Sequence, residues 1–403
     1  MTDEKQTQLS TVLVTGATGR VGRHVVDGLR AAGVTVRALV RKPDRAALPP
    51  DVELIQGDIY DPAAVRRAAT GVDAAFLLWP AYSADGAEAI VAELPRRVVY
   101  LSSLNAPAGG VWGDVEELLR QAGKDWTAIR PGGFAVNAQG WAGDFRSGDV
   151  VRLPYPKAGR SLIHERDIAA VAVLTLLDDR HIGKAYDLTG PEVLTQAEQV
   201  GTIARAVGKE MGIEELSAEQ ARQAMLDQGA DPALAESAVT YWAKLVDEPE
   251  PVTTTVAELT GRTALTFAAW AREHADEFRV LSTAEVANRY VAAMSAGRVA
   301  EAMAFTAPDY VRIAPLETNG EEVALQGDAI LENAQRLSAG IEYEGIQVFG
   351  PLLHDDHFAI RFTFDERDRT TGHRSRAIKL SLCTVTTGQI TREEVFYYTQ
   401  PHP

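Results

Sequence analysis

Apolar residues in the first half of the chain come in short unbroken runs. Val12–Thr15, Thr35–Val40, Val52–Gln56, Ala74–Leu78, Val98–Ser102 and Trp126–Ile129 are apolar throughout rather than alternating. That pattern predicts strands buried on both faces. Amphipathic stretches separate them. In Val21–Ala32, the residues Val21, Val25, Val26 and Leu29 share one helical face, and Gly33 supplies the stop. Strand–helix alternation of this kind predicts a parallel sheet with helices on both sides. Further on the pattern turns helical, over Thr195–Val207, Ser217–Gln228, Pro232–Val246 and Ala264–Phe278, with Asp247–Pro251 (DEPEP) as a break. The style changes again near Leu281. Thr283–Ala296 and Ala300–Thr306 read as helices, whereas His357–Asp365, Ile378–Val385 and Ile390–Tyr398 alternate. Phe358, Ile360, Phe362 and Phe364 share one face, which predicts an antiparallel sheet with one dry side. These shifts place a boundary at about 279–282 and divide the chain into residues 1–280 and 281–403.

Composition narrows the class. The chain has 403 residues, 46% of them hydrophobic, and a formal charge of −16. An acidic chain lacks the excess of cations that binds nucleic acid by releasing counterions. Cys383 is the only cysteine, which excludes an internal disulfide, a cysteine zinc site and a cysteine-ligated iron–sulfur cluster within one chain. The first ten residues are polar, without the apolar core of a signal peptide. The longest apolar stretch, Ile168–Leu177, is bounded by Asp167 and Asp178 and falls short of the about 20 residues a bilayer needs. A cytoplasmic protein that neither enters membranes nor binds nucleic acid is expected.

Chemistry enters at Thr15–Gly22 (TGATGRVG), between the first strand and the first helix. Gly16, Gly19 and Gly22 give the spacing G-x-x-G-x-x-G. Glycine permits the tight turn and the close approach of a pyrophosphate, and the helix N-terminus offers unpaired N–H groups. The flanking strand and helix supply the context such a motif needs. Arg41 and Lys42 follow the second strand, where NAD binding calls for an acidic residue; two cations fit the 2′-phosphate of NADPH. Gly57-Asp58-Ile59 ends the third strand, where Asp58 either reaches an adenine amine or simply forms a turn.

TGATGRVG, RALVR, the GDI turn, YLSSLNA, WTAIRPGGF, HERDIAAVA, YDLTGPE and AELTGRTALTFAAWAREH together resemble the NmrA-like branch of the atypical short-chain dehydrogenase/reductases, over about residues 10–278. The resemblance implies a Rossmann-type doubly wound α/β parallel sheet that prefers NADP(H). It implies cofactor contacts at Gly16, Thr18, Gly19, Arg20, Val21, Gly22, Arg41, Lys42, Asp58, Ile59, Leu78, Trp79, Ser102 and Pro131. Some members of this branch reduce quinones, carbonyls or enones; others bind the nucleotide as redox sensors.

Reduction of a carbonyl needs a proton donor for the developing alkoxide. The superfamily usually supplies Tyr-x-x-x-Lys, yet none of the eleven tyrosines here has lysine at the fourth following position. Tyr155-Pro-Lys157 has the wrong spacing. The remaining catalytic candidates are Ser102, Ser103 and Glu116. The serines read equally as hydrogen-bonding a substrate oxygen or as capping a strand end. Glu116 reads as an acid if burial raises its pKa, or as an ordinary first-turn glutamate. Trp112 and Phe134 are expected to shape the substrate pocket. A reductase without a strong acid still works where water protonates the product, or where the acceptor is a quinone with a stable reduced anion.

Residues 282–400 resemble the SnoaL-like/NTF2-like superfamily, an α+β cone-shaped barrel around an apolar cavity. The likeness rests on Asn288–Met294, the Ala296-Gly297 turn, Pro308-Asp309-Tyr310 and Glu394-Val395-Phe396. Of the three groups an isomerase site in this superfamily needs, Tyr290 matches the tyrosine. Ala314 stands where the base belongs, just before Pro315, and no acid lies near Leu380–Ser381. Tyr290 therefore reads as catalytic or as packing, Tyr310 and Tyr398 as pocket residues, and Arg361 equally as a pocket or a surface residue. His354-Asp355-Asp356-His357 reads as a solvated turn, and no metal is expected. The expected function is an NADPH-dependent reductase of a small carbonyl, enone or quinone compound, polyketide-like in kind. The second domain would bind or further convert that substrate. The alternatives are a non-catalytic NADP(H) sensor and a bifunctional reductase–cyclase. A homodimer is implied by the second resemblance alone.

Overall fold

The structure, a computed structural model, describes residues 9–227, 229–314, 324–327, 329–330, 332–333, 336 and 339–398. It forms two compact units, residues 1–279 and 280–403. In the first unit the strands are β1 (Thr11–Thr15), β2 (Thr35–Val40), β3 (Glu53–Gln56), β4 (Ala74–Leu78), β5 (Arg97–Leu101), β6 (Asp125–Pro131), β7 (Val150–Pro154), β8 (Gly159–Arg160), β9 (Lys184–Leu188), β10 (Leu194–Thr195) and β11 (Gly212–Leu216). Its helices are α1 (Gly22–Ala31), α2 (Pro62–Ala69), α3 (Ala87–Glu93), α4 (Val111–Gln121), α5 (Ala142–Ser147), α6 (Glu165–Leu177), α7 (Gln196–Val207), α8 (Ala218–Asp227), α9 (Pro232–Asp247), α10 (Thr255–Thr260) and α11 (Phe267–Glu273).

Seven strands make one parallel sheet in the order β3-β2-β1-β4-β5-β6-β9. The apolar runs are buried on both faces, as their composition requires. On one face Val25, Val26 and Leu29 of α1 pack with Ile168 and Ala172 of α6. On the other, Ala64, Ile90, Val115 and Leu119 cover the sheet from α2, α3 and α4. Strand order reverses between β1 and β4. In sheets of this kind the carboxyl ends of the strands at that switch point form the ligand crevice. Thr15 ties the two strands there, its hydroxyl accepting from the Leu78 amide at 2.8 Å.

A third apolar cluster holds Phe145, Phe267, Trp270 and Phe278 against Val200 and Ile203. The helix expected over Ala264–Phe278 is shorter. Thr266 caps α11 by accepting from the Ala269 amide at 3.1 Å, and a 3₁₀ turn over Ala275–Phe278 follows Glu273. Residue 228, the expected end of the helix now seen as α8, lies outside the described residues.

The second unit contains α12 (Thr283–Ser295), α13 (Val299–Met303), β12 (Thr306–Ile313), β13 (Ala324–Gln326), β14 (Ile341–His354), β15 (His357–Asp368), β16 (Arg374–Thr386) and β17 (Gln389–Tyr397). These strands make one six-stranded sheet in the order β13-β12-β17-β16-β15-β14. The sheet is mixed rather than wholly antiparallel, because β12 runs parallel to β17. The expected helix Ala300–Thr306 ends early: Thr306 Oγ1 donates to the Met303 carbonyl at 2.7 Å and the chain extends into β12. Phe358, Ile360 and Phe362 lie buried on one face with Tyr290 and Val286 of α12. Pro315 lies outside the described residues.

Candidate active site

The loop Gly16–Val21 leaves the carboxyl end of β1 and enters α1. Gly16 has φ +65°, and its carbonyl accepts from the Gly19 amide at 2.9 Å. A Cβ on Gly22 would stand 2.1 Å from the Gly16 oxygen, and one on Gly19 3.0 Å from it. A side chain at Gly22 would block this closure, and one at Gly19 would force the Gly16 carbonyl to give way by a few tenths of an ångström. Gly16 also rests on Leu78, at 3.2 Å from its Cδ1. The first turn of α1 carries no acidic residue, so its free amides face the loop without a competing carboxylate. Arg23 folds back and donates to the Thr18 carbonyl at 3.3 Å, and Arg20 reaches the Val136 carbonyl at 3.2 Å. This cradle fits a dinucleotide pyrophosphate. When bound, a reduced nicotinamide dinucleotide supplies a hydride.

Arg41 and Lys42 stand exposed directly after β2. Neither is in an ion pair among the described residues. Asp58 accepts from the Tyr60 amide at 3.2 Å, so it forms a turn at the end of β3, and Ile59 packs into the sheet cover. Trp79 is buried; its indole donates to the Ser83 carbonyl at 2.9 Å and meets the Tyr60 ring edge-on.

At the carboxyl ends of β5 and β6 the structure joins three side chains. Ser102 donates to Glu116 Oε1 at 2.5 Å. Arg130 grips the same carboxylate with both arms, Nε to Oε1 at 2.9 Å and Nη2 to Oε2 at 2.5 Å. Both Glu116 oxygens thus already accept hydrogen bonds, and the side chain is neither free nor a simple solvated helix glutamate. The carboxylate in turn pushes the Arg130 pKa up. Beneath them lies Tyr100, fully buried, whose hydroxyl has no hydrogen-bond partner among the described residues. Burial first, and the Glu116 charge second, push its pKa up. Ser103 is spent on a local turn, accepting from the Asn105 amide at 3.2 Å. Trp112 packs on the sheet cover with α4. Pro131 is buried at the end of β6, its carbonyl accepting from Leu104 at 2.9 Å.

Past Gly132 and Gly133, Phe134 lines a cavity of about 360 Å³ together with Trp141, Trp242, Met225, Asn137 and Arg160. Arg160 is fixed by Glu250, whose side chain is 1% exposed. Glu250 accepts from Arg160 Nε and Nη2 at 3.1 and 3.0 Å, from the Tyr241 hydroxyl at 2.8 Å and from the Ser161 amide at 3.0 Å. A Cβ on Gly133 would lie 2.4 Å from Arg160 Nη2, so glycine there makes room for the guanidinium. None of Arg160, Tyr241 or Glu250 was among the expected site residues. The only signal for Glu250 was its place between two prolines in the DEPEP break. A second depression, beside Arg20, is lined by His24, His164, Glu165, Glu273 and His274.

In the second unit Glu393 is buried on the inner face of β17. It accepts from Tyr310, from Ser381 at 2.5 Å and from Arg312 at 3.2 Å. Burial alone would raise its pKa, but Arg312, Lys379 and these hydroxyls hold it down at about 2. Tyr290 is 6% exposed and its pKa is raised by burial and by the Glu393 charge. Two expected pocket residues face the other way. Arg361 alternates with buried Ile360 and Phe362, and its guanidinium lies over the Phe349 ring at 4.2 Å. Tyr398 is 70% exposed. His354 and His357 flank an exposed two-residue hairpin. Among the described residues no helix is long and apolar enough to cross a membrane.

A glycine cradle at the switch point of a parallel sheet defines a dinucleotide-binding α/β fold. Comparison with known proteins carries this further. A family model described as NAD(P)H-binding matches residues 16–179. The (4-alkanoyl-5-oxo-2,5-dihydrofuran-3-yl)methyl phosphate reductase of Streptomyces griseus is 37% identical over 279 residues, 66% of this chain and 99% of its own. The NAD(P)H azoreductase of Xenophilus azovorans is 32% identical over 282 residues, 66% of this chain and 99% of its own. Among solved structures, the NADPH-dependent quinone oxidoreductase of Escherichia coli complexed with NADPH superposes with a TM-score of 0.57 at 22% identity, over 65% of this chain and 99% of its own. Over its N-terminal two thirds the chain belongs to the NAD(P)H-binding, NmrA-like reductase family. It is an NAD(P)H-dependent oxidoreductase without the Tyr-x-x-x-Lys pair.

Proposed function

We propose that the protein is an NADPH-dependent reductase of a small quinone, enone or related conjugated carbonyl compound, with polyketide-like natural products the expected kind. The observation that carries this reading is the pairing of the glycine cradle with Arg41 and Lys42. Both cations are exposed and outside any ion pair among the described residues, at the strand end where a 2′-phosphate belongs. The cofactor contacts at Thr18, Val21, Leu78, Trp79 and Pro131 belong to the same proposal. The aromatic lining from Phe134, Trp141 and Trp242 supports a planar acceptor. The names of relatives, an azoreductase and a quinone oxidoreductase among them, point the same way. In both substrate types a delocalised atom takes up the charge that reduction creates.

For the second unit we favour binding over chemistry. A general base works best with a pKa near the working pH, and Glu393 is held far below it. Glu393 thus acts as a fixed counter-ion for Arg312 and Lys379, and Tyr290 and Tyr310 define the polar end of a ligand site. The test is NADPH oxidation against 1,4-naphthoquinone, an azo dye and cyclohexanone, for the native chain and its Tyr290→Phe variant. The reading expects oxidation with the first two acceptors. A changed KM at constant kcat in Tyr290→Phe supports a binding role for the second unit.

A further inference from the structure

The first unit lacks the Tyr-x-x-x-Lys pair, which raises the question of what stabilises the reduced acceptor. We propose that Arg160, fixed by the buried Glu250, is the residue that stabilises the developing anion, and that the natural acceptors are those whose reduced form is a delocalised anion. The inference rests on the reductase reading and gives that same site its polar group and its substrate class.

Three observations carry it. First, position: Arg160 lines the cavity with Phe134, which follows the end of β6. In a sheet that reverses between β1 and β4, one half of a dinucleotide lies over β1–β3 and the other over β4–β6. The cavity therefore adjoins the half opposite Arg41 and Lys42, which is the nicotinamide half. Second, fixation: Nε and Nη2 are both taken by Glu250, and Glu250 is itself held by Tyr241 and the Ser161 amide. Nη1 donates to nothing among the described residues, and the side chain is 17% exposed. A donor aimed by a buried carboxylate needs no reorganisation when charge appears. Third, the polar groups nearest Arg160 are already engaged, although Asp144 also lines the cavity. Burial and the Glu250 charge push the Tyr241 phenol up, the wrong direction for proton donation. Glu116 is held by Arg130, and Ser102 donates to Glu116.

The chemistry balances as follows. The acceptor gains a hydride from the reduced nicotinamide at one end of its conjugated system. Its π pair moves to the far oxygen or nitrogen, which becomes anionic opposite Arg160. A guanidinium does not release its proton in a protein, so water protonates that atom, leaving hydroxide for the buffer. A simple ketone would give a localised alkoxide, too basic for this arrangement.

The test uses the full chain. Removing Arg160 alone strands a buried carboxylate, so the Arg160→Met/Glu250→Gln pair accompanies Arg160→Lys. The acceptors are 1,4-naphthoquinone and an azo dye, with cyclohexanone as the simple ketone. A second readout needs no cofactor: binding of 4-nitrophenolate, followed by quenching of the pocket tryptophans. The double variant should lose about 100-fold in kcat, the cost of removing one preorganised donor. It should lose 4-nitrophenolate affinity by a similar factor while NADPH affinity holds. Arg160→Lys should recover part of both. Naphthoquinone turnover within twofold of the native value in the double variant would overturn the proposal, as would efficient reduction of cyclohexanone by the native chain. If no acceptor is reduced but the variant still loses 4-nitrophenolate, the anion site stands and the reductase reading fails.

Discussion

Replacing Gly22 by alanine adds one methyl group, and the structure says where it goes. The new Cβ would lie 2.1 Å from the Gly16 carbonyl oxygen and 2.7 Å from its carbon. Ordinary contact needs about 3.5 Å, so the loop must retreat by about 1.4 Å. Overpacking of this sort costs about 1–3 kcal/mol, which lowers Tm by roughly 2–4 °C per kcal/mol. The larger effect falls on turnover, since a displacement of about 1 Å in a positioning element costs about 100-fold in rate, and the displaced cradle also holds the nucleotide less tightly. NADPH affinity, measured by nicotinamide fluorescence, should fall accordingly. Gly33→Ala is the control. Gly33 has φ +77° with nothing within 4 Å of an added Cβ. That change costs about 1–2 kcal/mol of backbone strain and should leave NADPH affinity unaltered. A Gly22→Ala protein that binds NADPH within twofold of native would refute the close-approach argument.

Other consequences follow from the same geometry. Arg41→Ala/Lys42→Ala should weaken NADPH by about 10- to 100-fold, from one or two charge-assisted contacts of about 1.5–3 kcal/mol, and leave NADH unchanged in the same titration. His274 is lowered by burial but raised more by hydrogen bonds with Glu165 and Glu277, and ends at about 9. A raised histidine stabilises fully below its unfolded pKa of about 6.5 and loses that contribution as pH climbs through its folded value. The melting temperature of the first unit should therefore fall from pH about 6.5 to 9, and His274→Gln should flatten that slope. Glu393→Gln removes the buried carboxylate charge that Arg312, Tyr310 and Ser381 share, a buried-pair break worth about 3–5 kcal/mol. All six tryptophans precede residue 280. Far-UV circular dichroism should thus register an earlier urea transition while tryptophan fluorescence stays put.

Much of the first unit was legible because a parallel sheet writes itself in unbroken apolar runs. Thr35–Val40 and Ala74–Leu78 were read to the residue. The phosphate loop was legible because close approach demands glycine at fixed spacing. The polar groups of the cavity were not. Arg160 sits on a two-residue strand, Tyr241 on a helix and Glu250 in a break, and only the tertiary fold brings residues 90 apart into contact. Local patterning also hid β12, since the Ala300–Thr306 stretch carries a helical spacing that ends at Met303. β14 was missed because it combines exposed apolar residues with a Gly350-Pro351 interruption. Arg361 was open between the pocket and the surface, and strict alternation from Ile360 and Phe362 puts it outside.

The central claim is that reduced dinucleotide bound at the glycine cradle is oxidised by a conjugated acceptor. The most direct measurement is anaerobic NADPH oxidation by the native chain with 1,4-naphthoquinone, matched by product analysis. The account predicts one hydroquinone formed for each NADPH consumed. Tight NADPH binding with no oxidation by naphthoquinone or an azo dye would contradict it.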